Sequence, residues 1–270
     1  MRTLYFDCFS GISGDMVIGA LIDAGADPVQ MEEELKKLNI DEEYNLSWGK
    51  VVKNGITSTK FDVILTSKSE QTHEHSHSHG HEHSHEHEHN HSHVLHHHHG
   101  SRTYKQIVEA INEANFNESV TNRSLAIFKK IGEAEGHIHG LPLEKVHFHE
   151  VGAVDSIIDI IGAAILIDQL GIESVQSSAI PTGSGHIHID HGIYPVPAPA
   201  TLEILKGVPI ASNDIRFELT TPTGAAIAAV LAERFGSLPA MTVESIGYGA
   251  GTKTFENHPN VLRIIIGEIQ

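Results

Sequence analysis

The residues best equipped for chemistry are the histidines of a polar tract in the first half of the chain. Imidazole is a good ligand for Ni²⁺, Cu²⁺, Zn²⁺ and Co²⁺, so such a tract predicts a metal collector. The Irving–Williams order places Cu²⁺ above Ni²⁺ at any such site, so the tract alone names no metal. Fifteen of the 23 histidines belong to it: His73, His75, His77, His79, His81, His83, His85, His87, His89, His91, His93, His96, His97, His98 and His99.

A second group of chemically capable residues is His147-Phe-His149-Glu150. If this segment is a strand, both histidines share one face and could bind one metal ion, while Glu150 points to the other side. Asp155 and Asp159 follow at helical spacing.

A third group, His186-Ile-His188-Ile-Asp190-His191, places His186, His188 and Asp190 on one face of a predicted strand. This pattern predicts a metal-binding edge to which His191 can contribute. For this group and for the second, the alternative is the solvent-facing side of an amphipathic strand.

Two glycine-containing segments are candidate anion sites. Asp7, Ser10, Gly11, Ser13, Gly14 and Asp15 surround a predicted strand-to-helix loop, and Thr221, Thr223 and Gly224 form a second such turn. Backbone N–H groups at a helix start can bind phosphate, and the carboxylates can bind a cation. The alternative for the first segment is a glycine-built turn with Asp15 as a helix cap.

Other site types are not supported. No Gly-x-x-x-x-Gly-Lys-Ser/Thr motif occurs, which excludes a P-loop, and no Gly-x-Ser-x-Gly elbow is present, which argues against a serine hydrolase. Cys8, the single cysteine, leaves no disulfide framework and is expected in the core.

Charge and hydropathy limit the partners. The formal net charge of −17 disfavours nucleic acid and anionic membranes, and it suits the handling of cations. No apolar run is long enough to span a bilayer, and no signal-peptide pattern follows Met1. We expect a soluble, cytoplasmic protein.

Strand and helix patterns alternate along the chain and predict an α/β fold, a mixed sheet with flanking helices. The elements of this fold must position the groups described above. Residues 1–70 form the first part of the domain, 71–100 a disordered His-rich insertion, and 101–270 the remainder. We predict strands over 2–9, 146–151, 216–220 and 261–266, a hairpin around Asn54-Gly55, and a buried helix over 155–169 capped by Asp155 and Ser156.

Five segments together resemble the LarC family of nickel-insertion proteins, and the resemblance covers essentially the whole chain. They are Asp7-Cys-Phe-Ser-Gly-Ile-Ser-Gly-Asp-Met16, Val146-His-Phe-His-Glu-Val-Gly-Ala-Val-Asp-Ser156, His191-Gly-Ile-Tyr-Pro-Val-Pro-Ala-Pro-Ala200, Glu218-Leu-Thr-Thr-Pro-Thr-Gly224 and Gly247-Tyr-Gly-Ala-Gly251.

The resemblance implies a nickel chelatase of the lyase class, a cyclometallase. It inserts Ni²⁺ into pyridinium-3,5-bisthiocarboxylic acid mononucleotide and so forms the nickel-pincer cofactor of lactate racemase. CTP with Mg²⁺ or Mn²⁺ drives the reaction in the family through a C-terminal nucleotide-binding domain. That domain lies beyond Gln270, so we expect this chain to resemble the short frameshift product of some members, which acts with the C-terminal domain or the full-length form. Lactate racemase apoprotein and a homo-oligomer are further expected partners.

Roles for individual residues follow as hypotheses. Loss of a ring proton requires a base, for which His149 and Glu150 are chosen, while His147, His186, His188 and Asp190 hold nickel. The glycine loop and the Thr221 turn would bind the phosphate. The alternatives are a nickel store or chaperone without chemistry and, more weakly, a zinc hydrolase.

Overall fold

A computed structural model describes residues 1–66, 102–148, 153–189 and 192–269 of the chain. The predicted insertion therefore lies outside the described residues. The fold is mixed α/β with one large sheet and flanking helices, which confirms the predicted class. Within the described residues, no helix is both long and apolar enough to cross a bilayer.

The elements before the gap at 67–101 form a strand, two helices and a hairpin. Asn54 and Gly55 both have positive φ and turn this hairpin, as predicted. In chain order the elements are β1 (Arg2–Asp7), α1 (Gly14–Asp23), α2 (Pro28–Leu35), β2 (Tyr44–Lys53) and β3 (Ile56–Leu65), with 3₁₀ turns at Lys36–Leu38 and Asp41–Glu43.

After the gap the chain continues with helices and then with short strands. The helices are α3 (Tyr104–Glu113), α4 (Glu118–His139), α5 (Val154–Gln169), α6 (Pro199–Ile204) and α7 (Pro222–Leu231), with a 3₁₀ turn at Leu143–Lys145. The strands are β4 (Ser174–Ser177), β5 (Ile180–Pro181), β6 (His186–Ile189), β7 (Gly192–Pro195), β8 (Ile210–Ala211), β9 (Arg234–Phe235), β10 (Thr242–Ala250) and β11 (Val261–Glu268).

The main sheet has the strand order β2-β3-β10-β11-β1-β4-β9. Strand β1 pairs antiparallel with β11 and parallel with β4, which pairs parallel with β9. Strand β10 pairs antiparallel with β11 and parallel with β3. The strands β3, β10, β1, β4 and β9 thus share one direction, so their carboxyl ends lie at the same edge. Ligands of open α/β sheets bind at such an edge.

Helices α1 and α5 occupy the core because their sequences are apolar on nearly every side. Residues 16–21 of α1 are buried against β3, β10 and β11, and α5 packs on α1. Gly162 of α5 makes room for Ile18 and Met31, since a β-carbon there would lie 3.0 Å from Ile18 Cδ1.

Four local expectations differ from the structure. Residues 146–148 form no strand, and His147 makes only an isolated bridge with Thr103. Residues 216–220 likewise make isolated bridges only. The predicted turn at 221–224 is the first turn of α7, because Thr221 caps Gly224 N and Pro222 suits the first helical position. Helix α5 begins after Ala153, so Asp155 lies in the first turn and does not cap it.

Candidate functional site

Two loops at the carboxyl end of β1 lie side by side and form the floor of the site. Ile12 N donates to Leu219 O at 3.1 Å, and Thr221 N donates to Ile12 O at 3.2 Å. A β-carbon at Gly11 would lie 1.9 Å from Leu219 O, and one at Gly224 would lie 2.1 Å from Ile12 O. These two glycines therefore permit the close approach of the loops.

A cleft of about 800 Å³, here called the central cleft, opens above these loops. It lies at the carboxyl edge of the sheet, since Ser13–Asp15 follow β1 and Thr252 and Lys253 follow β10. The first turns of α1, α5 and α7 also line it, through residues 14–15, 155–156 and 222–223. Three helix N-termini, each carrying a partial positive charge, therefore face one cavity.

One wall of the central cleft is an ion-pair group on α1 and β3. Lys60 Nζ lies 2.9 Å from Asp15 Oδ2 and 2.7 Å from Asp62 Oδ1, with the lysine side chain only 14% exposed. Burial acts to lower the pKa of Lys60, but these two carboxylates outweigh it and raise the pKa above its ordinary value. Ser13 also hydrogen-bonds Asp15.

Asp159 of α5 is the most perturbed acid of the cleft. Burial, then the nearby carboxylates of Asp15 and Asp155, raise its pKa well above the ordinary value, against the opposing effect of Lys60. The backbone N–H of Asp15 donates to this carboxyl, whereas Oδ1 is buried and has no hydrogen-bond partner. A buried polar atom without a partner is costly and marks a functional candidate.

The lining of the central cleft also includes His186 and His188, on the hairpin β6–β7. Both imidazoles are exposed and line the central cleft, and the two residues pair with Pro195 and Ile193 of β7. Neutral imidazole nitrogens at this position could bind a divalent transition metal. Acid groups outnumber lysines in the lining even without Asp159, whose raised pKa favours its neutral form. Asp15, Asp62, Asp155 and Glu218 stand against Lys60 and Lys253, which favours a cation.

Seven of the predicted site residues meet in this cleft. They are Ser13, Gly14, Asp15, His186, His188, Thr221 and Thr223.

Other predicted residues lie elsewhere. Asp7 is in an ion pair with Arg263, and Ser10 is fully buried with its hydroxyl unpartnered. Gly11 and Gly224 pack the loops together, and His147 is exposed and does not line the cleft.

Several predicted ligands cannot be placed because they lie outside the described residues. These are His149, Glu150, Asp190, His191 and the fifteen histidines of the tract. Within 1–66, 102–148, 153–189 and 192–269, no three His, Cys, Asp or Glu side chains are arranged to hold a metal ion. The complete nickel ligand set therefore stays a prediction.

Four further residues line the cleft and were not predicted from the sequence: Lys60, Asp62, Phe217 and Lys253. Lys60 and Asp62 are two residues apart in a predicted strand and so share one face, which could have indicated a charged site. Phe217 and Lys253 lie in segments without a motif. Cys8 is buried, as expected, and burial raises the pKa of its thiol to about 12, so it is inert.

The matching family and the matching relatives all carry names that refer to nickel insertion. The family described as "Nickel insertion protein" matches residues 4–270. A Geobacillus kaustophilus protein named "Pyridinium-3,5-bisthiocarboxylic acid mononucleotide nickel insertion protein" is 50% identical over 99% of this chain and 60% of its own length. A Staphylococcus epidermidis protein of the same name is 48% identical over 98% of the chain and 59% of its own length.

A more distant relative from Dictyoglomus thermophilum, named "Putative nickel insertion protein", is 40% identical over 100% of this chain and 61% of its own length. The chain thus spans about 60% of the length of the curated relatives it matches. No solved structure matches it.

Proposed function

The chain belongs to the nickel insertion protein family, and from that premise we propose that it inserts Ni²⁺ into pyridinium-3,5-bisthiocarboxylic acid mononucleotide. The names of the relatives supply the substrate. The observation that carries the proposal is the convergence of helix N-termini, carboxylates and two histidines in the central cleft. Each kind of group matches a different part of this reaction.

The phosphate of the mononucleotide is assigned to the floor of the cleft, between the first turns of α1 and α7. A dianion is stabilised at helix N-termini by the aligned peptide dipoles and by backbone N–H groups. The hydroxyl of Thr221 accepts from Gly224 N at 3.2 Å and can still donate its own proton to phosphate. Ser13, Gly14 and Thr223 complete this floor, whereas the backbone N–H of Asp15 donates to Asp159 and its carboxylate pairs with Lys60.

Nickel is a substrate of the reaction, and His186 and His188 are assigned to receive it. The acidic lining attracts the divalent ion, and the imidazoles bind it through their neutral nitrogens. His149, Asp190 and His191 remain candidates from the sequence for the rest of the ligand set, whereas His147, also chosen from the sequence, does not line the cleft. The histidine tract is assigned to collection and delivery.

The chemical step exchanges a proton for the metal. The two thiocarboxylate sulfurs bind Ni²⁺, the ring carbon between them donates its electron pair to nickel, and the carbon–hydrogen bond releases its proton to a base. Nickel keeps its oxidation state, so no oxidant or reductant is required. His149 and Glu150 remain the bases proposed from the sequence.

Finer assignments follow the family resemblance. We assign the reaction to the lyase class and CTP with Mg²⁺ or Mn²⁺ to the portion of the longer relatives that this chain does not match. We also propose a cytoplasmic location, a homo-oligomer, and delivery of the product towards lactate racemase. The mass of the purified chain in solution tests the homo-oligomer.

The direct test is an insertion assay. The purified chain is incubated with the bisthiocarboxylate mononucleotide, Ni²⁺, CTP and Mg²⁺, with and without a polypeptide covering the remainder of a longer relative. Mass spectrometry then measures nickel gained and hydrogen lost by the mononucleotide. Nickel-containing product that depends on this chain supports the proposal, and its absence in both arms overturns it.

A further inference from the structure

Phe217 is a large aromatic side chain that lines the central cleft and is 49% exposed. Leaving a phenylalanine in water forgoes the favourable free energy of burying it. Its ring is nevertheless held in place, because it stacks on Phe255 with ring centroids 5.2 Å apart and an interplanar angle of 29°. Phe255 itself is only 8% exposed.

The backbone beside this ring is fixed as well. Gly183 bridges to Glu218, and a β-carbon at Gly183 would lie 1.7 Å from the carbonyl oxygen of Phe217. The strand-like segment carrying the ring is thus clamped against its neighbour. A rigid aromatic that stays exposed in a cavity is typical of a stacking surface for a planar ligand.

A cation already lies over the ring. The ammonium of Lys253 is 5.5 Å from the ring centroid, within the distance at which a positive charge is attracted to the π face. The carbonyl oxygen of Lys253 accepts from Asn260 Nδ2 at 2.9 Å, so its backbone is anchored while its side chain can turn away. The position over the ring is therefore suited to a cationic group that can replace the ammonium.

We propose that Phe217 is the platform on which the pyridinium ring of the substrate stacks. The inference rests on the proposed function, because that function supplies a planar ring with a delocalised positive charge. Such a ring gains both dispersion and cation–π attraction from a phenylalanine face. The stacked ring lies in the same cleft as His186 and His188 and as the phosphate floor, so the platform orients the carbon that must meet nickel.

Binding to the full 270-residue chain tests the platform, with nicotinic acid mononucleotide as the pyridinium probe and ribose 5-phosphate as the probe without a ring. Isothermal titration compares wild type with Phe217→Leu, which keeps apolar volume, and Phe217→Trp, which keeps a π face. We expect Phe217→Leu to weaken nicotinic acid mononucleotide binding about tenfold, the scale of one desolvated cation–π contact. Phe217→Trp should retain binding, and ribose 5-phosphate should bind all three proteins alike.

Equal affinity of wild type and Phe217→Leu for the pyridinium probe would overturn the platform and leave the proposed function standing. Equal losses for both probes would overturn it too, because they would indicate general damage to the cleft. A wild-type chain that binds neither probe would overturn the mononucleotide assignment and the platform together.

A spectroscopic readout separates stacking from a purely structural role. The chain has one tryptophan, Trp48, so the double variant Trp48→Phe and Phe217→Trp carries its only indole at the platform. A pyridinium ring stacked on an indole accepts charge from it and quenches its fluorescence. Saturable quenching by nicotinic acid mononucleotide, and none by ribose 5-phosphate, is the expected result. Binding by titration without quenching would contradict the stacked geometry.

Discussion

Gly14 and Asp159 pack against each other in the lining of the central cleft, and a β-carbon at position 14 would lie 2.4 Å from Asp159 Oδ2. The first residue of α1 thus holds the buried carboxyl of α5 in place, and the backbone N–H of Asp15 donates to it. The absence of a side chain at position 14 lets the first turn of α1, part of the phosphate floor, pack against the carboxyl of Asp159.

Replacing Gly14 with alanine should push α1 and α5 apart at this contact. We expect the free energy of unfolding to fall by about 1–3 kcal/mol, the usual cost of overpacking, and nickel insertion to fall with it. Urea denaturation and the insertion assay measure the two effects. Gly236→Ala is the matched control, because nothing lies within 4 Å of a β-carbon there and no positive φ is required. Wild-type stability and rate in Gly14→Ala would refute the contact.

Asp159→Asn should stabilise the protein at neutral pH. The pKa of Asp159 is raised in the folded state, by burial first and by Asp15 and Asp155 next. Above about pH 4 this carboxyl therefore loses its proton in the unfolded chain but keeps it in the folded one. Stability of the wild type therefore declines as pH rises from there towards the folded pKa. Each unit of elevation corresponds to about 1.4 kcal/mol, and the asparagine variant avoids this loss while its amide oxygen still accepts from Asp15.

Thermal or urea unfolding between pH 4 and pH 8 measures this difference. It should be near zero at pH 4 and grow with pH, while the exposed control Asp41→Asn shows no such trend. The insertion rate should fall in Asp159→Asn despite the gain in stability. If the stability of Asp159→Asn relative to wild type falls between pH 4 and pH 7, the prediction is wrong, because a buried acid with a raised pKa requires it to rise.

Lys60→Met should destabilise the wall of the cleft that Lys60 forms with Asp15 and Asp62. It leaves Asp15 and Asp62 without their shared cation, and Lys60 is only 14% exposed, so we expect a loss of about 2–3 kcal/mol at pH 7. The control is Lys105→Met, whose ion pair with Glu109 is exposed and should be worth under about 0.5 kcal/mol. Equal effects of the two substitutions would show that the wall contributes no more than surface charge.

The sequence predicted the local elements better than the contacts between them. Asn54-Gly55 identified the hairpin, and the apolar run of α5 identified a buried helix, because both signals are local. Strand β10 was not predicted, since Gly247 and Gly249 suggest a loop. The structure places these glycines where β-carbons would lie 2.0 Å from Ala20 O and 1.8 Å from Met16 O, so they allow α1 to pack directly on the strand.

The candidate site was likewise predictable from local signals and not from contacts between distant parts of the chain. His186, His188, Ser13, Asp15 and Thr221 were recognisable by residue type and spacing, and all line the central cleft. Lys60, Asp62 and Phe217 join them only through pairing of β3 with β10 and through the loop at Gly183, which are contacts between distant parts of the chain. Residue type alone also cannot separate a glycine that binds an anion from Gly11, which makes room for a neighbouring carbonyl.

Deleting residues 71–100 tests the role of the histidine tract. If the tract collects metal and the cleft performs the chemistry, insertion should be slow at limiting nickel and return to the wild-type rate at saturating nickel. A nickel store without chemistry predicts instead complete loss at all nickel concentrations. The insertion assay across a nickel titration distinguishes the two, with total bound nickel as the control for removal of the tract.

The most direct test of the central cleft as the place of insertion uses two pairs of histidines in the chain lacking 71–100. One variant carries His186→Ala and His188→Ala in the cleft, and its control carries His137→Ala and His139→Ala at the end of α4. The measurement is nickel incorporated into the mononucleotide at saturating Ni²⁺. We predict a loss of about tenfold or more for the cleft pair, the scale for damage to a metal site, and a near wild-type rate for the control. A cleft pair that inserts nickel as fast as the control would contradict the account.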